Sequence, residues 1–335
     1  MDFKDVNHNV FLVSEDKLKI IVHIGWPRSG TTAIQSFFFL NRDELIERGV
    51  IYPATGLQNF GHHQWVIDLF FEKLDWISSD TSWAQMKRNL LEEIDILKPK
   101  SIFISSEAFS SIDDLDLFYQ RLSELDFDIE ILAVVREHFD SINSSFIRQL
   151  STKAVLFEPD KYISDTLQTG NFNYSEQIEK WEATINKKVH LVHFDDVKTG
   201  AIFGVIGRLL DVDLTDLIGK KEVEKNQSLP PSALKLLQDL PVDRLLGHKY
   251  ASMRSTLLDF YKEHSEQEKY TLFNDCQKNR ILEYFDLDRK RLGAYHNTNF
   301  NTEVKFVFKD FYISEHEYNS FVLYLWNRFG LWKGK

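Results

Sequence analysis

An apolar run interrupted only by His23, from Ile20 to Ile24, feeds directly into a turn bounded by Gly25 and Gly30 and then into an amphipathic segment. A run of that length and composition suits a strand buried on both faces, and such strands belong to parallel sheets covered by helices on either side. Ile34, Phe37, Phe38 and Leu45 recur on one helical face, and Gly49 is placed to stop the helix. The two glycines let the backbone approach an anion where a Cβ would clash. Turn amides and the positive end of the helix dipole then converge on one point, the arrangement of a phosphate cradle. The stretch therefore predicts an α/β chain organised around one anion-binding loop.

The nucleotide-binding loop G-x-x-x-x-G-K-[ST] carries its lysine immediately after the second glycine. Here the glycine spacing is kept, Thr31 occupies the lysine position, and the basic residue stands earlier, at Arg28. The string Pro27-Arg-Ser-Gly-Thr-Thr32, inside His23-Ile-Gly-x-x-Arg-Ser-Gly-Thr-Thr-x-Ile-Gln35, resembles the 5′-phosphosulfate loop of sulfotransferases. The wider string is most similar to the bacterial, carbohydrate-type branch. The resemblance implies a P-loop-like sulfotransferase fold, a three-layer α/β/α sandwich around a central parallel sheet with additional C-terminal helices. It implies 3′-phosphoadenosine 5′-phosphosulfate (PAPS) as sulfuryl donor, adenosine 3′,5′-diphosphate as product, and no metal.

With 335 residues, one large α/β domain with appended helices is expected rather than two equal domains. The expected division is a lead-in over 1–18, a sulfotransferase domain over 19–300 and a helical extension over 301–335 packed on it. A formal net charge of −11 argues against a general nucleic-acid binder, so an anionic ligand must be met by a local basic pocket. The single cysteine, Cys276, rules out an intrachain disulfide and fits a reducing compartment. The opening residues show no signal-peptide pattern, and no apolar run approaches the length of a membrane span, so a soluble cytoplasmic protein is expected.

Along the chain, apolar strand patterns alternate with helical ones. Val50–Pro53, Ser101–Ser106, Ile129–Val135 and Val189–Phe194 read as further strands. Gly61 to Trp65 opens a helical stretch, and helices are expected from Thr81, around Leu115, after Arg136 with Phe139, Ile142 and Phe146 inward, and around Tyr174 and Phe203. Residues 151–171, with Pro159 and Gly170, read as a long polar loop. Beyond about residue 212 the pattern is mostly helical, with Ile281–Tyr295 as one helix. In the tail, Tyr318, Phe321 and Leu325 share one side, a stripe expected in the core and otherwise an oligomer or membrane-surface contact.

Several residues carry the implied chemistry. By resemblance the loop residues Arg28, Ser29, Gly30, Thr31 and Thr32 bind the phosphosulfate. Arg28 is charged at all relevant pH values, so its role is charge stabilisation at the leaving oxygen rather than proton donation. Where cytosolic animal enzymes carry an adenine-stacking tryptophan this chain has Ala33. Ser105-Ser106-Glu107 ends a strand and resembles the place of the bacterial general base, making Glu107 the candidate; His62 and His63 are the alternatives. Arg136 at a strand end and Ser144 eight residues on reproduce the family's 3′-phosphate pair. Asn226 and Ser228 fall where that branch closes over its nucleotide. The implied acceptor is a hydroxyl of a carbohydrate or other small molecule. Two rivals stand beside this reading: a catalytically silent nucleotide- or glycan-binding homologue, and a P-loop kinase, which would lack its lysine.

Overall fold

A computed structural model describes residues 17–71, 77, 81–152, 157–221, 228–239, 247–264, 269–296, 306–309 and 311–329. The chain enters as β1 (Lys19–Gly25), turns through the loop into α1 (Thr31–Leu40) and α2 (Arg42–Glu47), and returns as β2 (Val50–Ile51). α3 (Trp83–Leu97) leads into β3 (Ser101–Ser106), and α4 (Leu115–Ser123) into β4 (Asp128–Val135). Then α5 (His138–Thr152), α6 (Pro159–Thr169) and α7 (Tyr174–Ile185) precede β5 (His190–His193), followed by α8 (Phe194–Thr199) and α9 (Ala201–Leu210). Beyond these lie α10 (Pro231–Asp239), α11 (Gly247–His264), β6 (Tyr270–Thr271), α12 (Asp275–Tyr284), α13 (Asp286–His296), β7 (Val307–Phe308) and α14 (Glu315–Phe329).

The main sheet has five strands in the order β2-β3-β1-β4-β5, and every pairing is parallel. β1 is central: Ile24 pairs with Ser106 on one side, and Gly25 pairs with Val134 on the other. This register decides where the chemistry can be. Glu107 follows β3 on one flank of the loop and Arg136 follows β4 on the other, both at the carboxyl ends of the strands, where ligands of open α/β sheets bind.

Side chains alternate across β1 and its neighbours, which divides the core in two. Ile20, Val22, Ile24, Ile102, Ile104 and Ile131 point to the face covered by α3 to α7 and the C-terminal helices. Ile21, Phe103, Leu132 and Val134 point to the face covered by α1, α2, α8 and α9. The result is the three-layer α/β/α architecture that the strand pattern demands. Local chemistry fixes the helix ends. Ser82 and Asp114 cap α3 and α4 by accepting from the amides of Gln85 and Leu117. Asn274 and Gln277 form a reciprocal capping box on α12.

The structure departs from the expected elements in five places. Residues 151–171 are not one loop: 159–169 form α6, with Pro159 in its first turn and Gly170 at φ 64 closing it. The helix expected from Thr31 to Gly49 is two helices, because the buried Asn41 side chain donates to the Phe37 carbonyl (2.8 Å) and turns the chain. The helix expected over Ile281–Tyr295 is likewise divided at Phe285. Gly61 to Trp65 supplies only a single 3-10 turn, His63–Val66. A two-residue parallel pairing of β6 with β7 has no counterpart in the sequence pattern. In the tail, Phe321 is buried against Phe260, while Tyr318 is half exposed and Leu325 is partly buried. Asn226 lies outside the described residues, and Ser228 is exposed. Among the described residues no helix is long and apolar enough to cross a membrane.

Candidate functional site

The loop between β1 and α1 is braced from within. Ser29 is fully buried; its amide and its hydroxyl both donate to the Trp26 carbonyl, at 3.1 and 2.7 Å. Its side chain therefore holds the turn, and Trp26 is committed to the core against Tyr174 (4.8 Å between rings). Arg28 and Gly30 both take left-handed backbone, at φ 69 and 88. A Cβ on Gly25 would fall 2.4 Å from the Thr31 methyl, and one on Gly30 would meet Phe194 and Val197 at 2.9 Å. Glycine is thus required at both ends for the turn to close. α1 begins at Gly30 with no side-chain cap and no acidic residue in its first turn, which leaves first-turn amides such as those of Thr31 and Thr32 for an external partner.

Arg28 is the centre of a basic cluster. Its Nε donates to Ser144 Oγ (2.9 Å) on α5, and its terminal nitrogens carry no hydrogen bond among the described residues. Burial, followed by the charges of Arg136, Arg148 and Arg254, lowers its pKa to about 10, with Asp140 opposing. It remains a cation at neutral pH, crowded by like charge. Arg136 donates from Nε and one Nη to the two Asp140 oxygens (2.8 and 2.6 Å), and from the other Nη to the Arg28 carbonyl (2.7 Å). A guanidinium has five N–H donors, so two remain for a ligand. Phe194 lies over the Arg136 guanidinium at 4.5 Å, placing an aromatic ring against the loop from the β5 side. The sequence places Arg28 and Ser144 at two separate phosphate positions; the fold joins them directly.

On the other flank, the end of β3 is wired to three histidines and a glutamine. His23 Nδ1 is 2.7 Å from Ser105 Oγ, and its Nε2, buried beneath the loop, has no hydrogen-bond partner among the described residues. His62 is committed on both nitrogens: Nδ1 accepts from the Ser105 amide (3.2 Å), so Nε2 bears the proton and donates to the Pro53 carbonyl (3.0 Å). Burial lowers the pKa of both His23 and His62 to about 3. His62 is therefore a structural residue with no nitrogen to offer a substrate. His63 Nδ1 is 2.7 Å from Ser106 Oγ, and its Nε2 faces Glu107 Oε2 at 4.0 Å. Burial lowers the His63 pKa and the Glu107 charge opposes the shift. Glu107 itself is 35% exposed at its side chain and accepts from Gln35 Nε2 (2.9 Å).

The candidate loop residues, Arg136, Ser144, Glu107 and His63 thus line or brace the loop and its two flanks, while His62 only supports the end of β3 and Ser228 is exposed. Two arginines of the basic cluster were not assigned to the site from the sequence. Arg148 follows Ser144 by four residues, in the series 136, 140, 144, 148, a helical spacing legible in the chain. Arg254 lies on α11, more than a hundred residues further on, with no local motif to mark it.

No family model matches the chain, and no curated protein matches it. Among solved structures it is similar to a sulfotransferase from Alicyclobacillus acidocaldarius, at 11% identity and a TM-score of 0.45 over 83% of this chain and 96% of that one. It is similar to the sulfotransferase domain from the curacin biosynthetic pathway, at 15% identity and a TM-score of 0.38, over 81% and 99% of the two chains. A third similar structure is retinol dehydratase in complex with androsterone and inactive cofactor PAP, at 14% identity and a TM-score of 0.30, over 86% and 83%. Similarity of this depth leaves the chemistry to be argued from the side chains themselves.

Proposed function

We propose that the protein is a sulfotransferase that moves a sulfuryl group from PAPS to a hydroxyl of an acceptor, with a carbohydrate as the acceptor class. The observation that carries this reading is the loop arginine. In a net acidic chain, Arg28 stands at an uncapped helix N-terminus, crowded by other arginines, with an accessible carboxylate on the opposite flank of the same loop. Such a cluster is stabilised by a polyanion, and a carboxylate across from it suits removal of a proton from an incoming hydroxyl.

The residues present fit the donor. Loop amides, Gly30, Thr31, Thr32 and the free nitrogens of Arg28 would hold the 5′-phosphosulfate, with Ser29 shaping the turn beneath. The two remaining N–H donors of Arg136 and the Ser144 hydroxyl hydrogen would meet the 3′-phosphate, with Arg148 and Arg254 adding positive field. Asp140 orients Arg136 through its paired hydrogen bonds. The bound donor supplies an activated sulfuryl group. Arg28 stabilises charge that builds on the leaving phosphate oxygen, an electrostatic effect that removal of one such donor elsewhere has shown to be worth about 10²–10³-fold in rate. Glu107 takes the acceptor proton. Phe194 lies beside the loop with both Arg136 and Lys198 over its ring, at 4.5 and 4.7 Å.

The test uses the 3′-phosphate, a group PAPS possesses and ATP lacks. Calorimetry should show adenosine 3′,5′-diphosphate binding about 10²-fold more tightly than adenosine 5′-phosphate, with or without a chelator. Arg136→Ala should remove most of that gap. Radiolabelled PAPS offered with a panel of glycans should give a labelled product. Tight binding only of magnesium–ATP would transfer the site to a kinase, and binding without transfer to any acceptor would mark a silent homologue.

A further inference from the structure

We propose that Gln35 is a positioning residue that, together with His63, fixes one oxygen of Glu107 so that the other faces the acceptor hydroxyl, and that it thereby ties the base to the helix opened by the anion loop. This rests on the sulfuryl-transfer reading of the site. Gln35 is 4% exposed and stands four residues after Thr31 on α1, the helix whose first turn closes the cradle. Its Nε2 donates to Glu107 Oε2 at 2.9 Å across a separation of 72 residues. His63 Nε2 faces the same oxygen at 4.0 Å from the opposite element.

Proton accounting gives His63 its tautomer. Ser106 Oγ is buried and already accepts from the Ala108 amide (3.1 Å), and its own hydrogen needs an acceptor. His63 Nδ1 at 2.7 Å accepts it, which leaves the imidazole proton on Nε2, facing Glu107. Gln35 therefore donates to Oε2, the His63 N–H faces the same oxygen from 4.0 Å, beyond hydrogen-bond distance, and Oε1 has no hydrogen bond among the described residues on a side chain that is 35% exposed. Gly61 makes the arrangement possible: a Cβ there would lie 2.6 Å from His63 Nε2 and 2.9 Å from Gln35 Nε2. Among the described residues Tyr52 also feels this carboxylate: its ionisation is pushed up by burial and then by the Glu107 charge, with Ser105 and Arg42 opposing, so it stays neutral. In the step this serves, the acceptor oxygen bonds to sulfur as its proton passes to Glu107 Oε1. The sulfur–oxygen bond to the 5′-phosphate breaks, and its electron pair remains on that phosphate.

Without its donor, the Glu107 carboxylate is free to turn, so the base is misplaced while the nucleotide site is untouched. Gln35→Met, close in shape but without the donor, should lower kcat by about 10–10²-fold with little change in the acceptor KM. Affinity for adenosine 3′,5′-diphosphate should be unchanged. His63→Gln, which retains an N–H, should recover more activity than His63→Leu. The Gln35 side-chain amide resonance, followed by nitrogen NMR on labelled protein whose melting temperature is near that of the parent, should move on Glu107→Leu. A Gln35→Met enzyme with parental kcat, or a Gln35 amide resonance unmoved by Glu107→Leu, overturns the proposal. If no acceptor is ever sulfated but that resonance moves as described, the sulfuryl-transfer reading fails while the clamp on Glu107 stands. If transfer occurs and Glu107→Gln retains it, the reading stands and the clamp has no part in it.

Discussion

Arg28 combines two costs that a purely structural residue would not retain together. Its backbone is left-handed at φ 69, a conformation that disfavours any residue with a Cβ by roughly 1–2 kcal/mol. Its guanidinium is partly buried beside like charges. Both are removed by Arg28→Gly, so that variant should melt at or above the parental temperature, while single-turnover transfer falls by at least about 10²-fold. Arg28→Ala should lose transfer equally without the gain in melting temperature. Near-normal transfer in either variant would take Arg28 out of the mechanism. The place of Arg28 in the loop was legible because glycine spacing sets it; the separation of His62 from His63 was not. Adjacent side chains leave a 3-10 turn in different directions, and only the packed β3 end decides which one reaches Glu107.

The joint between α5, α7 and α13 shows how far the C-terminal helices belong to the sheet domain. Asp288 on α13 is 2.9 Å from His138 Nε2 at the start of α5, and also accepts from the Ser175 amide (3.0 Å) and hydroxyl (2.5 Å) on α7. Burial alone would raise the Asp288 carboxyl; the hydrogen bonds from His138 and Ser175 outweigh it and hold it below the usual range. His138 is sandwiched between Tyr174 and Phe285, each 4.6 Å away. Removing one partner of a buried pair leaves the other stranded, so Asp288→Ala should cost about 2–4 kcal/mol in urea unfolding. Amide exchange should show α5 and α13 losing protection together; loss confined to α13 would mean the C-terminal helices fold as a separate unit. α6 teaches a complementary lesson. Pro159 and Gly170 read as loop punctuation in the sequence, yet they are the start and stop of a helix, because proline is compatible with a first turn and glycine with a left-handed cap.

For the molecule as a whole, burying neutral histidines links stability to pH. His23 and His62 have pKa values lowered by burial to about 3, against about 6.5 in an unfolded chain. Above pH 6.5 both states are neutral and the contribution is fully present. As pH falls below 6.5 the unfolded chain binds protons that the folded one refuses, and stability is lost progressively down to about pH 3. Each histidine should contribute a slope approaching 1.4 kcal/mol per pH unit, about 2.7 for the pair. Urea midpoints measured from pH 7 to pH 5 should fall accordingly, and His62→Gln, which can keep a donor and an acceptor, should flatten the slope by about half. A flat parental profile would show that these rings are protonated or solvated in the folded state.

The chain alone determined the features that period and spacing dictate. The apolar runs at Ile20–Ile24, Ser101–Ser106 and Ile129–Val135 demanded a covered parallel sheet, and Gly25 and Gly30 demanded a tight turn carrying Arg28 at the end of the first strand. Glu107 and Arg136 were legible as residues at strand ends for the same local reason. Tertiary structure decided the rest. Strand order placed β3 and β4 on either side of β1, so that the carboxylate and the arginine flank one loop instead of serving separate clefts. Packing of α5 and α11 set Ser144, Arg148 and Arg254 near Arg28, and the approach of α1 to the end of β3 joined Gln35 to Glu107. Hydrophobic period is a local property of a chain, whereas contacts between residues 72 or 116 positions apart depend on how whole elements dock, and nothing in the spacing of either partner records them.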